Sequence, residues 1–171
     1  RQRQMCIRDS YLAVAHVLSR YQVPTTQLDR GWMNTNAVTV IDTEEPDKPH
    51  PVLLDDPDAG AANPWGVSFS GDGGTLFVTH AGTHELSVID FPALLERMKR
   101  EDRSNEPVSE RLGFLHGLRT RIALPLNGPR AVASDGKNVY VAGYFSDSLA
   151  EVSLKDACKS RAIPLNVPFR P

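Results

Sequence analysis

Three of the five histidines fall where chemistry could be done: His16, His80 and His84. His16 and His80 each end an apolar run, LAVAH and LFVTH, and His84 follows beyond Gly82, which lets the loop fold back. Imidazoles so placed could ligate a metal or a haem iron, or act as a base. Equally, a histidine at the end of a strand could simply hydrogen-bond a neighbouring loop. No carboxylate stands at ligand spacing from them, so no metal site is assigned. Four more residues carry useful chemistry. Arg130 could meet an anionic ligand or pair with Asp147, Trp65 could meet a ligand or be a core wedge between blades, and Tyr144 falls in the polar loop beside them. No Ser-His-Asp set, phosphate loop or dinucleotide motif occurs, so no catalytic residue is assigned.

These residues are placed by a repeat. LAVAH (12–16), LFVTH (76–80) and VYVAG (139–143) align at offsets of 64 and 63 residues. Each is followed by a strand of period-2 alternation: AVTVID (37–42), ELSVID (85–90) and LAEVSL (149–154). β-branched and aromatic residues dominate, punctuated by Gly, Asn, Asp and Pro, the grammar of an all-β chain. SGDGG (70–74) and SDGKN (134–138) precede the second strands of the two fuller copies. Asp-Gly and Gly-Gly supply the positive φ of tight hairpins, and the spacing of an EF-hand loop is absent. A fourth strand closes each unit, at 52–55, 119–124 and 160–165. Four antiparallel strands per repeat make a propeller blade. The fold class expected is therefore all-β, a partial β-propeller of about two and a half to three four-stranded blades with one short helical insertion.

The blades are expected as an incomplete one at 11–60, a full one at 61–126 and a third at 127–165. Residues 17–36, with Tyr21, Pro24, Arg30 and Trp32, read as a polar loop. In the insertion 91–117, Pro92 suits a first helical turn and Leu94, Leu95 and Met98 share one face, with Lys and Arg toward the end. A short amphipathic helix should lie on the propeller, followed by a flexible link at 104–107. The acidic run Asp55-Asp56-Pro57-Asp58 reads as a solvated connecting loop.

In such a blade, the loop before the innermost strand and the loop between the second and third strands lie at one end of the propeller. That rim collects Asn63, Trp65, His80, His84, Asn127, Arg130, Tyr144 and Asp147, together with His16. Rim loops on a rigid scaffold are where binding residues gather. The ligand-binding rim expected is His16, Trp65, His80, His84, Arg130, Tyr144 and Asp147.

Asn63-Pro64-Trp65-Gly66-Val67, Phe77-Val78-Thr79, Ser87-Val88-Ile89-Asp90, Gly128-Pro129 and Tyr140-Val141-Ala142 resemble the YVTN-repeat β-propeller family over nearly all of residues 11–165. More narrowly, GWMNTNAVTVID, AANPWGVSFSGDGGTLFVTHAGTHELSVID and NGPRAVASDGKNVYVAGYFSDSLAEVSL resemble the propeller part of secreted bacterial proteins in which a cytochrome-c-peroxidase-like haem domain follows. The resemblance implies a periplasmic or extracellular binding platform. Its partners would be a protein or small-molecule ligand at the rim, and missing blades and a haem domain of the same chain. The Cys-x-x-Cys-His that attaches haem c is absent here, so haem c would belong to chain downstream. A lactonase-like hydrolase with its site in the channel, and a structural cell-surface repeat protein, are the other readings. Such propellers serve many functions.

Composition narrows the partners. Residues 1–10, RQRQMCIRDS, are what CGG CAG CGT CAG ATG TGT ATA AGA GAC AG encodes up to its last base, the end of a transposase sequencing adapter. They read as an adapter artefact in a piece of a longer metagenomic frame. Without Arg1, Arg3, Arg8 and Asp9, 16 basic and 20 acidic residues remain, a net charge of −4. Nucleic acid is thus not an expected partner. Setting Cys6 aside leaves Cys158 alone, read as a small packed residue rather than half of a disulfide. No apolar run is long enough to span a membrane.

Overall fold

The computed structural model describes residues 5–8, 10–19, 34–101, 108–156 and 159–165. The loop residues Tyr21, Pro24, Arg30 and Trp32, the link 104–107 and Cys158 lie outside them.

Among the described residues, twelve strands form three four-stranded antiparallel meanders. The first is β1 (Met5–Arg8), β2 (Tyr11–Ser19), β3 (Asn34–Asp42) and β4 (His50–Leu53). The second is β5 (Pro64–Phe69), β6 (Thr75–His80), β7 (Glu85–Asp90) and β8 (Arg119–Ala123). The third is β9 (Pro129–Ser134), β10 (Asn138–Gly143), β11 (Ser148–Ser153) and β12 (Ser160–Pro164). β5 packs against β1 and β2, and β9 against β5 and β6, so successive sheets meet along their first strands. This is the blade-on-blade stacking of a partial β-propeller. β1, within the residues that read as adapter-encoded, pairs with β2 from Met5↔Val14 to Arg8↔Tyr11 and occupies the innermost position of the first sheet.

The middle sheet is buried on both faces, which explains why LFV is apolar without alternation. Leu76, Val78 and Ile89 join Ala13, Val38, Val40 and Val52 in one core, while Phe77 and Leu86 join Val139, Val141, Ala150 and Val152 in another. Each repeat thus buries its faces against its neighbours.

The insertion begins as a helix, α1 (Phe91–Glu101). Asp90 caps it by accepting the Ala93 N–H at 3.0 Å, Pro92 sits in its first turn, and Lys99 and Arg100 lie in its last. Phe91, Leu94 and Met98 enter the first core. Phe91 meets Phe69 edge-on with ring centroids 4.8 Å apart.

The acidic run is not a solvated loop throughout. Asp55 is buried and accepts hydrogen bonds from the Asn36 N–H (2.7 Å), the Asn36 side-chain amide (2.8 Å) and the Ala61 N–H (2.7 Å). Asp56 pairs with Arg119 and Arg121 of β8, which also reaches Glu85. A connection that joins the first sheet to the second must satisfy its buried backbone donors, and a carboxylate does so. Burial opposes ionisation of Glu85 most strongly, but the hydrogen bond from Arg121 and its positive charge, with smaller neighbouring contributions, together outweigh it and hold the carboxyl below its usual range.

Candidate functional site

Two backbone devices, repeated one blade apart, build the rim. The first is a bulge at the start of the innermost strands β5 and β9. Register shifts between Pro64 and Val67 in the β5–β6 pairing, and between Pro129 and Ala131 opposite Gly143 and Ala142 in the β9–β10 pairing. Trp65 and Arg130 are left unpaired there, and a bulge re-aims such side chains. The second device is a left-handed residue ahead of the third strands β7 and β11. His84 (φ 57°) precedes β7 and Asp147 (φ 44°) precedes β11, in a conformation that His and Asp tolerate better than most residues. Asn63 (φ 54°) and Gly128 (φ 62°) match one another in the same way ahead of the innermost strands.

The bulges bring Trp65 and Arg130 together. The Arg130 guanidinium carbon lies 4.3 Å from the Trp65 ring centroid and 3.6 Å from that of Tyr144, with Phe145 at 5.7 Å. Tyr144 and Phe145 meet edge-on at 4.9 Å and are 60% and 70% exposed. Their loop is held by hydrogen bonds from the Tyr144 N–H to Gly128 O (2.9 Å) and from the Phe145 N–H to Asn127 O (3.2 Å). Gly128 has two reasons to be glycine: its positive φ, and the Phe145 ring 2.6 Å from where a Cβ would stand. Arg130 Nε is buried without a hydrogen-bond partner, and no carboxylate pairs with the guanidinium among the described residues. A cation stacked between aromatic rings can offer its edge to an anion.

The remaining rim residues are placed differently. His80 is fully buried, its Nδ1 3.1 Å from Ala61 O and its Nε2 2.7 Å from Ser87 Oγ. Burial, with Arg119 and Arg121 nearby, lowers its pKa to about 4. The neutral ring donates from Nδ1 to the carbonyl and accepts from the serine hydroxyl. His16 makes the same cross-strand bond one blade earlier, Nε2 to Thr39 Oγ1 at 2.7 Å. His84 accepts the Gly128 N–H at 3.1 Å through Nδ1 and so ties the second blade to the third. Asp147 O accepts the Leu165 N–H at 2.8 Å. Trp65, Arg130 and Tyr144 therefore form one cluster, while His16, His80, His84 and Asp147 serve strands and turns around it.

Phe145 was not among the expected rim residues, although it follows Tyr144 in the same polar loop and is the more exposed of the two. Among the described residues, no group of three or more His, Cys, Asp or Glu side chains could hold a metal ion. No described helix is long and apolar enough to cross a membrane.

No protein-family model matches the chain. It is 28% identical over 146 residues to the hydrazine synthase subunit beta of Kuenenia stuttgartiensis, covering 83% of this chain and 38% of that protein. The solved hydrazine synthase of the same organism superposes with a TM-score of 0.73 at 26% identity, over 84% of this chain and 42% of that one. A nidogen/laminin complex (TM-score 0.54, 17% identity, 91% and 43% covered) is similar in fold. So is the β-propeller domain of the trilobed protease from Pyrococcus furiosus (0.53, 10%, 94% and 41%). The chain thus spans less than half the length of the relatives it matches.

Proposed function

We propose that this chain is a non-catalytic β-propeller module that acts as a binding and docking platform within a larger periplasmic redox protein. The observation that carries this reading is the likeness, over most of the chain, to a protein that by name is one subunit of a multi-subunit enzyme. The rim supports it. Exposed aromatic rings stand there beside a half-buried cation, whereas the His80–Ser87 pair, which could otherwise suggest hydrolytic chemistry, is sealed from solvent. Residues 11–60, 61–126 and 127–165 are the proposed blades, of the YVTN type.

A haem c belonging to the parent protein does not fit the described residues. Cys-x-x-Cys-His is absent from the sequence, and His80 has both ring nitrogens engaged. Any haem would be held by downstream chain, in a cytochrome-c-peroxidase-like domain, or by a partner.

Two measurements test the reading. Cross-linking of the tagged chain in a periplasmic extract, followed by mass spectrometry and haem staining, should recover a c-type haem protein linked through residues of the rim. Recovery of this chain alone, or turnover of a sugar lactone by the purified chain, would overturn the platform. Extending the gene sequence should reveal Cys-x-x-Cys-His in frame. A frame that continues through further blades to a stop codon without it would overturn the redox assignment and leave the platform standing.

A further inference from the structure

We propose that the Trp65–Arg130–Tyr144–Phe145 cluster is a docking point for an acidic, extended segment of a partner protein, one of whose carboxylates is received edge-on by the Arg130 guanidinium. The inference rests on the reading of the chain as a binding platform and names the partner chemistry of that platform.

Geometry selects the ligand. Trp65 and Tyr144 lie over the guanidinium at 4.3 and 3.6 Å. A guanidinium hydrogen-bonds only through its in-plane N–H groups. A carboxylate is the planar, two-oxygen acceptor that matches that fork. The ion is only partly hydrated, since Nε is buried with no partner, and no carboxylate of the described residues neutralises it. An arriving anion therefore gains more than it would at a fully solvated arginine.

The surroundings select a protein segment over a free carboxylate. Tyr144 and Phe145, at 60% and 70% exposure, are the exposed large aromatics of the described surface and stand beside the cation. Rings that project into solvent enclose little of a small ion, but they offer apolar contact to the side chains flanking an acidic residue. Trp, Tyr and Arg together are the composition of interface hot spots. The chain as a whole is acidic, so net charge would not draw an acidic partner, and recognition must be local to Arg130.

The test is fluorescence anisotropy of the whole chain with a short fluorescein-labelled peptide of alternating Glu and Leu or Ser, against its Gln counterpart and a Lys counterpart. The Glu peptide should bind saturably, and the Gln peptide about tenfold or more weaker. Arg130→Gln should weaken the Glu peptide by a similar factor with an unchanged melting curve. Tyr144→Ala, which alters only an exposed ring, should weaken it about fivefold. Arg130→Lys should fall between native and Arg130→Gln. Failure of the native chain to bind the Glu peptide, equal binding of the Gln peptide, or indifference to both Arg130→Gln and Tyr144→Ala would overturn the proposal. Succinate binding as tightly as the peptide would also overturn it, in favour of a site for free carboxylates. Binding of the Lys or Gln peptide that persists in Arg130→Gln would sink the acidic site while leaving the platform reading intact.

Discussion

The Thr79 hydroxyl lies 3.2 Å from the carbonyl oxygen of Arg130 and donates to it across the seam between the second and third blades. The Thr79 hydroxyl oxygen in turn accepts the Gly66 N–H at 2.7 Å. One hydroxyl therefore satisfies a bulge in its own blade and holds the strand that carries the cation of the next. The close approach requires Gly66, because a Cβ there would stand 2.0 Å from Arg130 O. Thr79→Val keeps the shape and removes both bonds, leaving a buried N–H unpaired. It should cost about 2 kcal/mol in urea unfolding. Gly66→Ala should cost at least as much, and a melting curve unchanged by either would show that the seam is not held here.

His80 should make the protein acid-sensitive. Its folded pKa of about 4 lies below the usual 6.5, so between those values the unfolded chain takes up a proton that the folded chain refuses. Stability fully present above pH 6.5 is lost as the pH falls toward 4, by about 3 kcal/mol. His80→Gln should be less stable at neutral pH but should flatten that part of the pH profile. A profile equally steep in the variant would assign the acid sensitivity to other groups.

Asp55 should behave as a structural keystone rather than a surface acid. Asp55→Ala strands three donors and should destabilise by about 3 kcal/mol. Asp55→Asn, which turns an amide toward donors, should recover only part of that loss. Chemical denaturation of the three proteins side by side gives the ranking.

Leu94 tests the helical insertion. Its side chain is fully buried in the first core, so Leu94→Ala should cost about 2 to 5 kcal/mol. Glu96→Ala, on the exposed face of the same helix, should change stability by no more than about 0.5 kcal/mol. Equal effects would mean that α1 does not pack as described.

The strands were legible because their periodicity is local. LFVTH and ELSVID fall on β6 and β7, and the Ser70 to Gly74 turn places Gly73 at φ 76°. Pro92 and the leucines of PALLERMKR marked α1 for the same reason. The repeat also made Trp65 and Arg130 equivalent. What it could not show is that they touch, because their stacking depends on the rotation between blades and on bulges that leave no residue signature. The partners of the histidines were hidden similarly. Thr39 and Ser87 each lie two residues beyond the residue paired with the histidine, Ala37 opposite His16 and Glu85 opposite His80, a relation visible only once the register is known. Asp55 and Asp56 looked like solvent-facing acids because a run of charge in a connection usually is one, and the arginines that receive Asp56 lie more than 60 residues further along the chain.

The matched left-handed positions bear on how such a chain diversifies. Asn63 and Gly128 form one matched pair of left-handed positions, and His84 and Asp147 form a second, with different residues at each. The two blades keep the angle at these places while their side chains differ. The residue just inside each bulge is then free to drift, from an indole at position 65 to a guanidinium at 130, without rewriting the turn that presents it. New recognition could be acquired at that place by single codon changes, one blade at a time, on a frame that need not be folded anew.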